Sequence, residues 1–585
     1  MDELDDRRGN DRGVAGTGRD PDAWWRHGVV YQVYPRSFQD ADGDGVGDLA
    51  GIRQRLPYLQ ELGVDAIWIS PIYPSPMADF GYDVADYCDV DPLFGTLADF
   101  DALLQDAHVR GLKVILDFVP NHTSDRHPWF VASRSSRHDP HRDFYLWRDP
   151  APDGGPPNNW RSNFGGPAWS FDQATGQWYY HAFLPQQPDL NWRNPQVRQR
   201  MYDALRFWLA RGVDGFRVDV IWHLIKDDRF RDNPADPSWR PEMAQSRSLL
   251  QLYSTDRPEL MEVVAEMRSL IAQYDTASSA RILIGEIYLP IERLVAYYAP
   301  DESGTLRGVQ LPFNFHLIST HWEAAALAEL IRKYEASLPP QGWPNWVLGN
   351  HDQSRIASRV GELRAALAAC LLLTLRGTPT LYYGDEIGMQ DVAIPPAALR
   401  DPAELREPGK GLGRDPQRTP MQWDGNAGAG FTTATPWLPL PADHADRNVA
   451  RQQQEPRSML SLYRALLALR RREAALHAGT IESVAANGDC LTFDRVSQAS
   501  RLRVQINFGS DWVALPEGQG DHPILFSSAD FDPAASIDPE GNTPGNAPGN
   551  APASARGSSR VLPPLVARIL RADQEGKAEG KARGT

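Results

Sequence analysis

The sequence predicts an α/β chain: a (β/α)8 TIM barrel with an inserted subdomain after its third strand and a C-terminal all-β sandwich. Three observations predict it. Eight apolar, strand-like runs alternate with helical patterns between about residues 24 and 475. More than 90 residues, rich in Pro, Gly, Asn and Trp, separate the third run from the fourth, too many for a βα loop. From about residue 476 the pattern changes to short strands.

Residues 1–22 mix charge with glycine and read as a disordered tail. The barrel's first part is expected at 23–122, with strands at 28–38, 64–73 and 113–122. Between the first two, Leu49, Ile52, Leu56, Leu59 and Leu62 fall at helical spacing, with Asp48 as N-cap and Gly63 as stop. Pro57 is the one residue that disagrees with this helix. The insert is expected at 123–194. The barrel's second part follows at 195–475, with strands at 215–220, 281–288, 308–315, 345–352 and 378–387 and long loops at 222–262 and 388–450. Alternating β and α units of this kind close into a barrel. The run "AALAACLLLTL" is short enough to be a buried helix. The β-sandwich is placed at 476–572, interrupted by a flexible Pro-Gly-Asn insert at 535–559, before a charged tail at 573–585.

Net charge is −16. That argues against nucleic acid, anionic membrane or an acidic substrate as partner. No apolar run reaches the ~20 residues of a membrane helix, and the N-terminus has no signal-peptide core. The three cysteines show neither metal spacing nor a disulfide framework, so a reducing, cytoplasmic location is expected.

The stretch "GFRVDV" carries the first chemical signal. Phe216, Val218 and Val220 alternate with Arg217 and Asp219, so a cation and an anion share the face opposite the apolar one. On a barrel strand the apolar face meets the helices, and Arg217 and Asp219 point into the mouth, where the carboxyl ends of the strands gather catalytic groups. A buried Asp needs a partner; Arg217 supplies one and is expected to keep Asp219 ionised. Other strands end alike. "VILDFVPNH" delivers Asp117, Asn121 and His122, "ILIGEIY" delivers Glu286, and "WVLGNHD" delivers His351 and Asp352. Several carboxylates on one rim, with no serine triad and no dinucleotide loop, suit glycoside cleavage. Asp219 fits the attacking anion; Glu286, on an Ile- and Leu-rich strand, fits a proton donor of raised pKa.

In these blocks the chain resembles glycoside hydrolase family 13, the α-amylase family, over about residues 24–570. "DFVPNH", "GFRVDV", "GEIY" and "NHD" occur in order, with "QPDLNW" in the insert and "GTPTLYYGDEIGM" at the eighth strand. The resemblance implies Asp219 as nucleophile, Glu286 as acid/base and Asp352 as holder of the sugar's 2- and 3-hydroxyls. It implies His122 and His351 as further hydroxyl ligands, Arg217 as orienter of the nucleophile and a structural role for Asp117. It also implies retention through a covalent glucosyl-enzyme, with the carboxylates ~5–5.5 Å apart. Asp79 and Tyr82 in "MADFGYD", with Arg414 in "GRDPQRTPMQW", match residues that close the pocket in exo-acting oligo-1,6-glucosidases. "QPDLN" resembles that subfamily too. Val220 resembles the residue of α-1,6-cleaving enzymes, whereas Trp222 replaces the lysine usual before His223. The Arg-rich motif of isomaltulose-forming isomerases is not found. Small α-glucosides are thus the expected substrates. Transfer to another acceptor, as in a transglucosidase or trehalose synthase, is the alternative use of the same site.

"DADGDGVGD" places Asp40, Asp42, Asp44 and Asp48 at i, i+2, i+4 and i+8, like the first half of an EF-hand loop without its distal Glu. Family relatives carry Ca2+ or Mg2+ in this loop. The resemblance implies a structural ion held by these four and the Val46 carbonyl.

Overall fold

A computed structural model describes residues 23–515, 522–531 and 561–572. The expected tails, and the insert at 535–559, lie outside the described residues. Eight parallel strands close into a barrel. They are β1 Val30–Val33, β2 Ala66–Ile69, β3 Lys113–Phe118, β4 Gly215–Val218, β5 Ile282–Gly285, β6 Leu311–Asn314, β7 Asn345–Val347 and β8 Thr378–Tyr382. Each pairs with the next in sequence, and β8 returns to β1 through Val30 opposite Thr380.

All eight expected strands are present, but most are shorter than the sequence suggests. The run expected over 28–38 ends as a strand at Val33, and Pro35–Phe38 forms a helical turn. Pro35 has no N–H for a ladder and suits the first turn of a helix. Likewise Asn121 and His122 lie beyond the end of β3, and Asp352 beyond β7. They stand in the loops over the rim.

Alternation along β4 sorts its residues as expected. Phe216 and Val218 pack outward in the large core shared with the helices. The floor of the barrel is a separate apolar layer that includes Val30, Trp68, Ile115, Ile282, Ile284 and Phe313. Arg217 lies above it, with its guanidinium 5.1 Å from the Trp68 ring centre. At the start of β4, Gly215 is required: a Cβ there falls 2.7 Å from the Ile282 carbonyl oxygen.

The helix after β1 spans Leu49–Leu62. Asp48 caps it by accepting the Gly51 amide at 2.6 Å, and Gly63 ends it at φ 97°. Pro57 stays inside it on the exposed face, the side on which water can pair the carbonyl that a proline leaves without its helical donor. The run around Cys370 is the buried helix Glu362–Thr374. The excursion after β3 holds a helix, Pro128–Ser135, and a small antiparallel sheet of Trp147–Arg148, Trp169–Asp172 and Gln177–Tyr180.

After the barrel, five antiparallel strands form one sheet, with a two-stranded ribbon, Val513–Ala514 and Val561–Leu562, beside it. Cys490, Leu562 and Val566 pack between them. The run "VLPPLVARILR" forms two strands, because Pro563 and Pro564 interrupt the ladder before Ala567–Ala572. Among the described residues, no helix is long and apolar enough to cross a membrane.

Candidate active site

The centre of the rim is one buried arginine shared by three carboxylates. Arg217 Nη1 donates to Asp219 Oδ1 at 2.6 Å and to Asp117 Oδ1 at 2.8 Å. Its Nη2 forms an ion pair with Glu286 Oε2 at 2.8 Å. Asp117 is tied down further by Trp68 Nε1 at 3.1 Å and the Tyr82 hydroxyl at 3.0 Å.

Arg217 is expected to keep Asp219 ionised, and this sharing divides its charge among three carboxylates. Burial pushes Asp219 well above the usual carboxylate range; Arg217 opposes this, and Glu286 and Asp117 add to it. Glu286 is pushed up to about 7, first by burial, with Arg217 opposing and Asp352 adding. One cation cannot balance three buried anions, so the cluster retains a proton near neutrality. Hydrogen bonds distinguish the partners. Asp219 receives the shortest contact from Arg217. Glu286 Oε2 accepts the Val220 amide at 2.8 Å and is also the oxygen that pairs with the Arg217 guanidinium. The proton of Glu286 therefore belongs on Oε1. Val220 presents its amide from φ 36°, a left-handed conformation that is rare for a β-branched residue.

Asp352 occupies the opposite wall. Its Oδ1 accepts Arg418 Nη2 at 2.7 Å and Arg414 Nη1 at 3.3 Å. Burial alone raises its pKa, but His351, Arg414 and Arg418 outweigh burial and hold it below the usual range. Burial keeps His351 itself neutral, so the two arginines do this at pH 7. Gln32 Nε2 donates to His351 Nδ1 at 2.8 Å, which puts the ring proton on Nε2, 3.3 Å from Asp352 Oδ2. The imidazole stacks on Tyr82, centres 5.3 Å apart and planes within 5°.

The far end of the pocket is sealed. Arg414 Nη2 donates to Asp79 Oδ1 at 2.6 Å across 335 residues of sequence, while its Nε donates to Asp401 at 2.5 Å. Gln187, from the insert, donates to Asp79 Oδ2 at 3.1 Å and also lies 3.1 Å from His122 Nε2. His122 is pushed down to about 4 by burial and stays neutral. Behind it, Lys226 Nζ lies 2.5 Å from Asp189 and donates to Asn121 at 2.7 Å, joining the insert to the barrel. The "QPDLN" stretch thus works through Gln187 and Asp189. His223 is also buried, and its ring lies 5.5 Å from Phe183.

Asp219, Glu286, Asp352, Asp79, Tyr82, His122, Arg217, Val220, His351 and Arg414 are all brought into this one cluster of contacts. Sequence reasoning missed Arg418, Asp401 and Gln187. Arg418 lies four residues after Arg414 in the same quoted stretch and carried its own signal, a second arginine in a segment already assigned to the site. Asp401, in a Pro-rich loop, carried none.

In the acidic loop, carboxylate oxygens of Asp40, Asp42 and Asp48 lie within 4.8 Å of one another. Asp44 is not one of this group; its Oδ1 accepts the Val46 amide at 2.7 Å. Asp40 also anchors the loop after β8 through Thr432 Oγ1 at 2.5 Å.

Fold and site together describe a barrel enzyme with paired buried carboxylates beneath a closed pocket. A family model for the α-amylase catalytic domain matches residues 32–479, and the chain belongs to the α-amylase family. A probable α-glucosidase of Rhizobium meliloti (strain 1021) is 44% identical over 507 residues, 84% of this chain and 91% of its own. An oligo-1,6-glucosidase of Heyndrickxia coagulans is 38% identical over 547 residues, 86% of this chain and 96% of its own. The crystal structure of an α-glucosyl transfer enzyme, XgtA, matches with TM-score 0.84 at 38% identity, covering 94% of this chain and all of that one (100%).

Proposed function

We propose that this chain is an exo-acting, retaining α-glucosidase that removes the non-reducing terminal glucosyl residue of short α-glucosides. The Asp79–Arg414 bridge carries the reading. It walls off the pocket beyond the carboxylates, so only a chain end fits. Asp219 attacks the anomeric carbon, and Glu286 gives the proton on Oε1 to the leaving oxygen. Glu286 then takes a proton from water as the glucosyl–Asp219 ester is hydrolysed. Both carboxylates pair with one guanidinium, an arrangement that supports the close carboxylate spacing of the retaining class, ~5–5.5 Å, over the ~6.5–9.5 Å of inverting enzymes. Asp352, held ionised by its arginines, accepts ring hydroxyls and favours the cationic transition state. His351 Nε2–H and His122 serve as further hydroxyl partners, and Tyr82 floors the ring.

A second reading, transfer to a sugar acceptor, is favoured by Tyr288. It follows the acid by two residues, is 38% exposed, and stacks on Phe315 at 4.1 Å with planes 6° apart. Such a face beside the leaving-group side suits an acceptor ring. Product time courses with isomaltose, maltose, sucrose and trehalose separate the readings. Glucose from the outset supports hydrolysis, and isomaltose ahead of maltose supports the α-1,6 role of Val220. Larger glucosides accumulating first support transfer, and no product from any of them refutes both.

The acid must hold its proton, so kcat/KM should fall by about tenfold per unit as pH rises beyond about 7, the value to which Glu286 is pushed. A flat profile to pH 9 contradicts Glu286 as acid. We also assign Asp40, Asp42 and Asp48 to a structural Ca2+ or Mg2+, with Asp44 and the Val46 carbonyl completing the shell after a local turn. At a hundredfold excess over its Kd the ion should add about 2.7 kcal/mol of stability. Chelation should therefore lower Tm and leave KM unchanged; a Tm indifferent to chelator and to added Ca2+ or Mg2+ refutes the site. Cys88, Cys370 and Cys490 form no disulfide, which supports a cytoplasmic location.

A further inference from the structure

The loop that carries Asp79 is unusual. Met77 has φ 63°, Phe80 φ 49° and Gly81 φ 107°. Two of the three are non-glycine residues in the left-handed region, where Cβ crowds the backbone. Such a path persists only where the surroundings over-determine it.

Asp83 is the group that does so. Its side chain is fully buried. One oxygen, Oδ1, accepts the Asp79 amide at 2.9 Å and the Ser75 hydroxyl at 2.9 Å. The other, Oδ2, accepts the Ala78 amide at 2.8 Å. Ser75 Oγ in turn accepts the Met77 amide at 2.9 Å. Every donor comes from the loop itself. A carboxylate suits this place because it accepts on both oxygens; an amide of the same shape turns an N–H toward one of the donors.

We infer that Asp83 is a positioning residue for terminal-sugar recognition, fixing the 75–80 loop so that Asp79 meets Arg414 and Gln187 at the closed end of the pocket. The inference rests on the glucosidase reading and adds a residue that does not touch the sugar. It also separates two tasks within "MADFGYD". Asp79 and Tyr82 face the pocket, and Asp83 holds the turn between them.

The test is the variant Asp83→Asn, assayed with p-nitrophenyl α-D-glucopyranoside and with the α-D-galactopyranoside, which differs only at the 4-hydroxyl. Terminal-hydroxyl contacts bind ground and transition states alike, so KM for the glucoside should rise about tenfold with kcat nearly unchanged. The preference for glucoside over galactoside should fall by a similar factor. An unchanged KM, or an equal kcat loss on both epimers, overturns the proposal, since general loosening lowers the active fraction without changing preference. Should Asp83→Asn not fold, Ser75→Ala decides. It removes one donor and keeps the carboxylate, so KM should rise by about two- to threefold, and no rise overturns the proposal. A parent protein that fails to cleave the glucoside refutes the glucosidase reading instead. Calorimetric titration with D-glucose then still tests Asp83: the parent binding more tightly than Asp83→Asn supports it, and equal binding or none by the parent overturns it.

Discussion

Asp219→Asn is expected to lower kcat by about 10⁴-fold or more while the protein stays folded. The amide keeps the shape of the side chain and removes the nucleophile. It also removes one of three anions gathered on a single buried cation, so Tm should hold or rise. Loss of activity together with a lower Tm would point to a structural role. Rescue sharpens the test. With Asp219→Ala and an activated α-glucoside, azide can occupy the emptied space and attack the anomeric carbon once, giving the β-glucosyl azide. With Glu286→Ala, the covalent intermediate still forms, and azide should give the α-glucosyl azide. The same anomer from both variants would overturn the division of roles.

Arg217→Leu is expected to be the most destabilising single change at the site. It leaves Asp117, Asp219 and Glu286 buried with no cation between them, and breaking such a cluster costs about 3–5 kcal/mol. The sign of its pH dependence follows. Without Arg217 the folded-state carboxyls titrate above their unfolded values, so the folded form is favoured while they are protonated and loses ground as pH rises. The Tm deficit relative to the parent should therefore be large at pH 8 and shrink toward pH 5. A deficit that stays constant would mean that Arg217 acts through packing on Trp68 rather than through charge. Arg217→Lys keeps the charge but not the fork. It should recover much of the stability and little of the activity.

Much of this was legible because barrels write their chemistry on strand ends. The alternation in "GFRVDV" placed Arg217 inward and Phe216 outward, and both stand so. What stayed illegible was three-dimensional sharing. Nothing local shows that Arg217 also reaches Glu286, so the sequence could not show that the charge beside Asp219 is shared. The pairing of Asp79 with Arg414 was available only through resemblance, since 335 residues separate them. Strands were drawn too long because the chain stays buried beyond the ladder: Tyr34 and Phe38 are as covered as Val33. Hydrophobicity reports burial, not pairing.

The closure of β8 on β1 has a consequence for how the molecule comes off the ribosome. Val30 waits for Thr380, and Asp79 waits for Arg414. Until those late segments emerge, the first strand has an open edge and the sugar pocket has no end wall. A nascent chain of 350 residues holds Asp117, Asp219 and Glu286 but not Asp352, and cannot measure a sugar's length. Its open edge is the kind of template that invites intermolecular pairing. Yield during synthesis should thus depend more on how quickly the last strand arrives than on the stability of the finished enzyme.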